Sequence, residues 1–281
     1  MFNLLLPILC IAQMPETDIW LFKLTKNKGE ITFTKGENIT NRNGYDNQPS
    51  FTFDSKKIVF VSNFSSNQTD IYEYHISKKK INQLTKTEES EYSPSESYTE
   101  NIITSVTVEK DSSQRIWAYH RINFQSSVLI PEIDSVGYYT WLNKDSILYY
   151  KLTNPHSLHA YDLINQKDVT LTKHPSRAFK KTHNSSKFIY AVKDSAQLLF
   201  WLYNPTLRET SYYCSSPSTQ EDFIWHPDLG LIKSENNQLL RYVETDKKWI
   251  VLFSFESFGI QKISRFNFSS DGKYLVLVNN L

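Results

Sequence analysis

The stretch Pro49-Ser50-Phe51-Thr52-Phe53-Asp54-Ser55-Lys56-Lys57-Ile58-Val59-Phe60-Val61 is followed by Asp70-Ile71-Tyr72-Glu73-Tyr74 and then by Gln83-Leu84-Thr85. It reads as four short strands, since period-two alternation and apolar runs are separated by the turn residues Asp54-Ser55 and by polar loops. The same pattern returns along the chain. Its anchor positions fall at Phe51, Glu96, Trp141, Thr182, Trp225 and Phe268, spaced 45, 45, 41, 43 and 43 residues apart. A period in this range is that of a four-stranded propeller blade.

The third strand of each blade supplies a second, independent count. It recurs as Asp18-Ile19-Trp20-Leu21-Phe22, Asp70-Ile71-Tyr72, Arg115-Ile116-Trp117, Leu158-His159-Ala160-Tyr161, Leu198-Leu199-Phe200-Trp201 and Leu239-Leu240-Arg241-Tyr242. The first of these has no anchor strand before it, and the last anchor, Phe268, has no third strand after it. The two ends therefore complete one another. Residues 260–279 are expected to give the inner two strands of one blade and residues 17–40 its outer two, with Asp271-Gly272 as a hairpin turn. Such a closure removes the open sheet edges that invite aggregation. The sequence thus predicts an all-β, six-bladed propeller. One blade joins 17–40 to 260–279, and the others run approximately 45–87, 88–133, 134–176, 177–218 and 219–259.

Composition agrees with one large all-β domain. Seventeen Tyr and seventeen Phe in 281 residues suit half-buried pleated surfaces, and no stretch holds a helical period. The formal charge of +1 provides no field for recruiting nucleic acid or an anionic membrane. Lys78-Lys79-Lys80 reads as a solvated hairpin turn. At the N-terminus the apolar run Leu4–Ile11, ending in Cys10-Ile11-Ala12, reads as an export signal cleaved after Ala12, and it is too short to span a bilayer. Acylation of Cys10 is the rival reading. With the signal removed only Cys214 remains, so no intrachain disulfide is expected.

Over nearly the whole mature chain the residues resemble the TolB-like, or WD40-like, propeller repeat. The resemblance is carried by Pro49-Ser50-Phe51, Asp54 and Lys56-Lys57-Ile58, by Thr69-Asp70-Ile71-Tyr72 and Gln83-Leu84-Thr85, and by Phe268-Ser269-Ser270-Asp271-Gly272-Lys273. Trp225-His226-Pro227-Asp228 belongs to the same pattern. Gly44-Tyr45-Asp46-Asn47-Gln48 and Glu91-Tyr92-Ser93-Pro94 resemble stand-alone exported members. The resemblance implies a periplasmic or extracellular binding propeller. TolB itself carries an α/β domain ahead of its propeller, whereas this chain enters its first blade at Asp18, so the Tol-Pal role is not carried over.

Catalytic motifs are sparse. The seven glycines lie at least seven residues apart, which excludes a Walker loop, a dinucleotide fingerprint and a Gly-x-Ser-x-Gly elbow. His156 and His159, at odd spacing, are expected on opposite faces of a strand, and His75, His120, His174, His183 and His226 are scattered. No metal and no cofactor are expected.

In a propeller the loops between blades, with those joining second to third strands, crowd one mouth of the central channel and carry function on a rigid scaffold. Those loops place Tyr45, Asp46, Asn47, Glu91, Tyr92, Tyr138, Arg177, Glu221 and Asp222 at the mouth, joined by Asn67, Arg115, His156 and Gln238 from the second set. Tyrosines beside carboxylates and arginines suit a protein, peptide or cell-surface ligand, because Tyr combines rigid contact area with a hydrogen-bonding tip. The reading favoured by the sequence is a monomeric, exported, non-catalytic propeller with such a partner in the cell envelope. Two alternatives accompany it. One is a hydrolase, lyase or lactonase using Glu91, Asp222, His156 or Arg177 at the mouth. The other is a detached relative of the propellers of prolyl-oligopeptidase-type peptidases.

Overall fold

The computed structural model describes residues 14–27, 30–64, 68–182 and 187–281. The N-terminal run read as an export signal, with Cys10, Asn67 and His183, lies outside them. β1 (Thr17–Asn27) and β2 (Glu30–Asn38) come first. Blade two is β3 (Asp46–Phe51), β4 (Lys57–Ser62), β5 (Asp70–His75) and β6 (Lys80–Gln83). Blade three is β7 (Ser90–Glu96), β8 (Ile102–Val108), β9 (Gln114–His120) and the short β10 (Ser126–Val128). Blade four is β11 (Val136–Asn143), β12 (Ser146–Lys151), β13 (Ser157–Asp162) and β14 (Lys167–Lys173). Blade five is β15 (Pro175–Lys181), β16 (Phe188–Asp194), β17 (Gln197–Asn204) and β18 (Glu209–Ser216). Blade six is β19 (Phe223–His226), β20 (Gly230–Glu235), β21 (Gln238–Val243) and β22 (Lys248–Ser254).

The chain then returns as β23 (Ile263–Phe268) and β24 (Tyr274–Asn280). β24 pairs antiparallel with β1, from Thr17 opposite Asn280 to Lys23 opposite Tyr274, so that blade one runs β23-β24-β1-β2. The six-bladed propeller closed by strands from both ends of the chain is therefore the observed fold. The inner strands β23, β3, β7, β11, β15 and β19 contact one another in a ring. A latch fixes the seam. Thr17 donates its backbone N–H to the Gly44 carbonyl at 3.0 Å and its hydroxyl to the Asp46 carbonyl at 2.9 Å, tying β1 to the approach of blade two.

Burial follows strand position. β4 is buried on both faces, while β6 at the rim is wholly exposed. Each of the six blade interfaces has its own apolar cluster among the described residues. Phe22, Phe33 and Leu277 meet Ile232, Leu239 and Phe255 between blades one and six. Val106 and Ile116 meet Tyr149 and Tyr161 between three and four. No described helix is long and apolar enough to cross a membrane.

One anchor moves. The residue opposite Phe188 on the second strand is Lys181, as Phe51 is opposite Ile58 and Phe268 opposite Leu275. Thr182 lies one position on, where its N–H and hydroxyl both bond the Lys187 carbonyl at 2.9 Å and open the turn. Glu96 does occupy an anchor position, opposite Ile103. There it accepts from Arg121 at 3.2 Å, a polar substitute for the aromatic contact.

Candidate functional site

All the inner strands except β19 carry a register irregularity. A bulge inserts an extra residue and re-aims the side chains beyond it. In β3 and β7 the break falls beside Gln48 and Ser93, both in the left-handed region with φ of 55° and 52°. In β15 it falls between Pro175 and Phe179. Arg177 and Lys180, three residues apart and on opposite faces of a regular strand, consequently both line the channel.

The result is a funnel. A mouth of about 560 Å³ is lined by Tyr45, Asn47, Gln48, Tyr92, Tyr138, Arg177 and Arg265, among others. It narrows to a throat of about 140 Å³ between the inner strands, where Gln48, Tyr138, Arg177 and Arg265 are joined by Lys180, Asp222 and Asn267.

Charge in the funnel is one-sided. Asp222 accepts from Arg177 Nη2 and stands 3.3 Å from Arg265 Nη1 with each carboxylate oxygen. The Arg177 guanidinium also donates to the Ser264 carbonyl at 2.9 Å. Arg265 lies over the Tyr138 ring, 5.4 Å from its centroid, with Nη2 at 3.5 Å from the phenol oxygen. Burial works most strongly against the Arg265 charge, but Asp222, Tyr138 and Tyr45 together outweigh it and hold the guanidinium above its ordinary value. The Lys180 ammonium makes no hydrogen bond or ion pair among the described residues. Burial pushes its ammonium below the ordinary lysine value, with Asp222 acting against the shift and Arg265 adding to it. Burial raises the Tyr45 phenol to about 12, with Arg265 and Arg177 pulling it down and Tyr92 and Tyr138 pushing it up. The rim tyrosines and the two arginines thus share one electrostatic environment.

Of the sequence-predicted residues, the funnel gathers Tyr45, Asn47, Tyr92, Tyr138, Arg177 and Asp222. The others lie elsewhere. The Asp46 side chain, 1% exposed, turns between blades onto Arg42 at 2.7 Å, and burial raises its carboxyl above the usual range. Glu91 is fully buried, accepting from Thr85 at 3.1 Å, from Tyr119 at 3.3 Å and from Thr87. Burial lifts its carboxyl to about 7. Glu221 buttresses the funnel wall from behind, accepting from the Arg177 backbone N–H at 2.7 Å and pairing with Lys193 at 2.6 Å. Arg115 pairs with Glu109 at 3.2 Å on blade three, and Gln238 opens β21 without lining the funnel. His156 packs on Tyr150, 5.2 Å between ring centroids, in a separate hollow with His174 and Lys193. It precedes β13 rather than lying on it, and only His159 is a strand residue. Arg265, Lys180 and Gln48 belong to the funnel although sequence reasoning passed over them.

His159 has an arrangement with a chemical look. Its Nε2 is 2.8 Å from Ser157 Oγ and its Nδ1 is 3.0 Å from Asp168 Oδ1, the order of a nucleophile relay. Ser157 and His159 are buried on a face stacked on Tyr149, and Tyr149 donates to Asp168. The chain of bonds ties β13 to β14 and continues from Ser157 to Thr153 at 3.0 Å, but Ser157, His159 and Asp168 themselves line none of the described hollows. Cys214 is likewise buried, which raises its thiol to about 12 and leaves it without thiolate character. Among the described residues no three His, Cys, Asp or Glu side chains come together as a metal site.

No family model matches the chain, and no curated protein matches it in sequence. Solved structures do match in fold. A protein assigned as TolB from Agrobacterium tumefaciens superposes with a TM-score of 0.69 at 11% identity, covering 95% of this chain and 99% of that one. A chain of the nidogen/laminin complex gives 0.67 at 8% identity, over 94% and 98%. An oligogalacturonate lyase in complex with manganese gives 0.57 at 9% identity, over 90% and 83%. At these identities the likeness is one of fold, and the neighbours include TolB-like propellers.

Proposed function

We propose that this chain is an exported binding propeller that holds a protein or peptide partner of the cell envelope at the mouth formed by its inter-blade loops. The observation that carries the reading is the convergence of Tyr45, Tyr92 and Tyr138 with Arg177 and Arg265 on one funnel. Tyrosine and arginine are the side chains that most often dominate binding energy when they surround a desolvated pocket. Support also comes from the fold neighbours, which include a TolB-type propeller and a propeller caught in a complex between two proteins. The N-terminal apolar run supports export. A lyase-type reading has the oligogalacturonate lyases as fold neighbours. For it, Arg177 and Asp222 are in place but bonded to one another, while Glu91 and His156 face away from the funnel.

Replacing Tyr45, Tyr92 and Tyr138 together by alanine is expected to abolish partner retention in affinity capture from the native envelope. The variant should still unfold cooperatively but at a lowered midpoint, since Tyr92 and Tyr138 pack partly against blade clusters, and a cooperative transition is the check that it remains folded. Undiminished retention of every partner by the triple variant would overturn the reading.

A further inference from the structure

We propose that the throat beneath the mouth is an anion site that receives a carboxylate side chain from an acidic segment of the bound partner. This rests on the mouth being the binding face. Two guanidiniums, from Arg177 on β15 and Arg265 on β23, share the single carboxylate of Asp222. The Lys180 ammonium, which lines the same throat, has no acceptor of its own among the described residues. Positive charge therefore exceeds negative within a space walled by protein. An unpaired cation in such a place is costly unless an anion or water meets it.

Dimensions point to a side chain. A cavity of about 150 Å³ admits a molecule the size of benzene, so a throat of about 140 Å³ holds one small group and not a folded element. Lys180 lies three residues beyond Arg177, roughly 10 Å deeper at the rise of an extended strand and somewhat less across the bulge. A carboxylate on a flexible methylene stalk reaches that depth while its backbone stays in the mouth. An acidic sugar bears its carboxylate directly on the ring and must bring the ring into the throat. Gln48 and Tyr92, with Tyr138 against Arg265, offer amide and phenol groups on the same wall for the peptide backbone.

The test is calorimetric titration of the full chain with hexaglutamate, hexaglutamine, hexalysine and an alginate oligosaccharide. Saturable binding of hexaglutamate alone is expected, weakening as salt is raised. Arg265→Gln and Lys180→Met should each weaken it about 10- to 100-fold, the effect of losing one charge-assisted hydrogen bond. Lys248→Gln, which removes one unit charge from the exposed outer strand of blade six, should leave it unchanged. The thermal midpoint of the unmodified chain should rise with hexaglutamate, which gives a readout that needs no variant. No saturable hexaglutamate binding, equal binding of hexaglutamine, or preference for alginate overturns the proposal. If hexaglutamate fails while the tyrosine variant still loses its partner, the acidic assignment falls and the mouth stands. If hexaglutamate binds the throat while the tyrosine variant keeps its partner, the mouth falls instead.

Discussion

Phe22→Ala is expected to lower the unfolding free energy by about 3–5 kcal/mol, the usual cost of emptying a buried phenylalanine site. Phe22 lies on β1, the strand that the start of the chain lends to the blade begun by its end. Its ring is fully buried and meets Phe255 and Phe258 edge-on, each at 4.9 Å between centroids. The pocket is already tight. A Cβ on Gly36 would lie 2.5 Å from the same ring, so the backbone of β2 packs directly against it and has little room to collapse into the vacancy. Because β1 bonds β24 along its length and latches to Gly44 and Asp46, the loss should appear as a single cooperative shift in urea unfolding. Early, separate fraying of residues 17–38 in hydrogen exchange, with the main transition unmoved, would mean that the seam is not integral to the ring.

Glu91→Gln is expected to stabilise the protein at pH 8 and to leave it nearly unchanged at pH 4.5. Glu91 titrates at the ordinary 4.5 in the unfolded chain and at about 7 when folded. Between those values the folded state keeps a proton that the unfolded chain has lost, so stability falls as pH rises. The amide keeps the hydrogen bonds of the neutral acid and has no such titration. Over the window the difference between the two proteins should grow to about 3 kcal/mol, from 1.36 kcal/mol for each pH unit. Carboxylates such as Asp54 and Asp271, held below their ordinary values among hydroxyl and N–H donors though burial opposes them, act in the opposite sense. They do so equally in both proteins and cancel in the comparison. Urea unfolding across pH 5–8 measures the difference, and parallel curves would show that Glu91 is not ionising inside the ring.

The ring was legible because blade spacing is a one-dimensional signal, and the shared blade because an orphan third strand at Asp18 and an orphan anchor at Phe268 are complementary. The mouth was legible at Tyr45 and Asp222, which loops supply, and at Tyr92, Tyr138 and Arg177, which stand near the entries of their inner strands. Lys180 escaped because it sits far along β15, beyond a bulge that alternation cannot register, whereas Arg265, third on β23 as Arg177 is third on β15, had a positional signal that a reading of loops left unused. Asp46 and Glu91 were misplaced for the converse reason. A carboxylate at the start of an inner strand faces the channel or the neighbouring blade according to a single step of parity. Burial settled that step, sending Asp46 to Arg42 and Glu91 to Thr85, Thr87 and Tyr119.

The two ends of the channel can be compared directly. Opposite the funnel, the β3–β4 and β7–β8 turns bring Phe53 and Tyr98 together at 5.1 Å between centroids, about half exposed and equally suited by composition to hold a partner. The decisive measurement is site-specific photo-crosslinking in the native envelope, with benzoylphenylalanine placed singly at Tyr92, Tyr138, Phe53 and Tyr98. Adducts from positions 92 and 138 and none from 53 and 98 are the predicted result. Adducts confined to positions 53 and 98 would contradict the assignment of the funnel as the binding face.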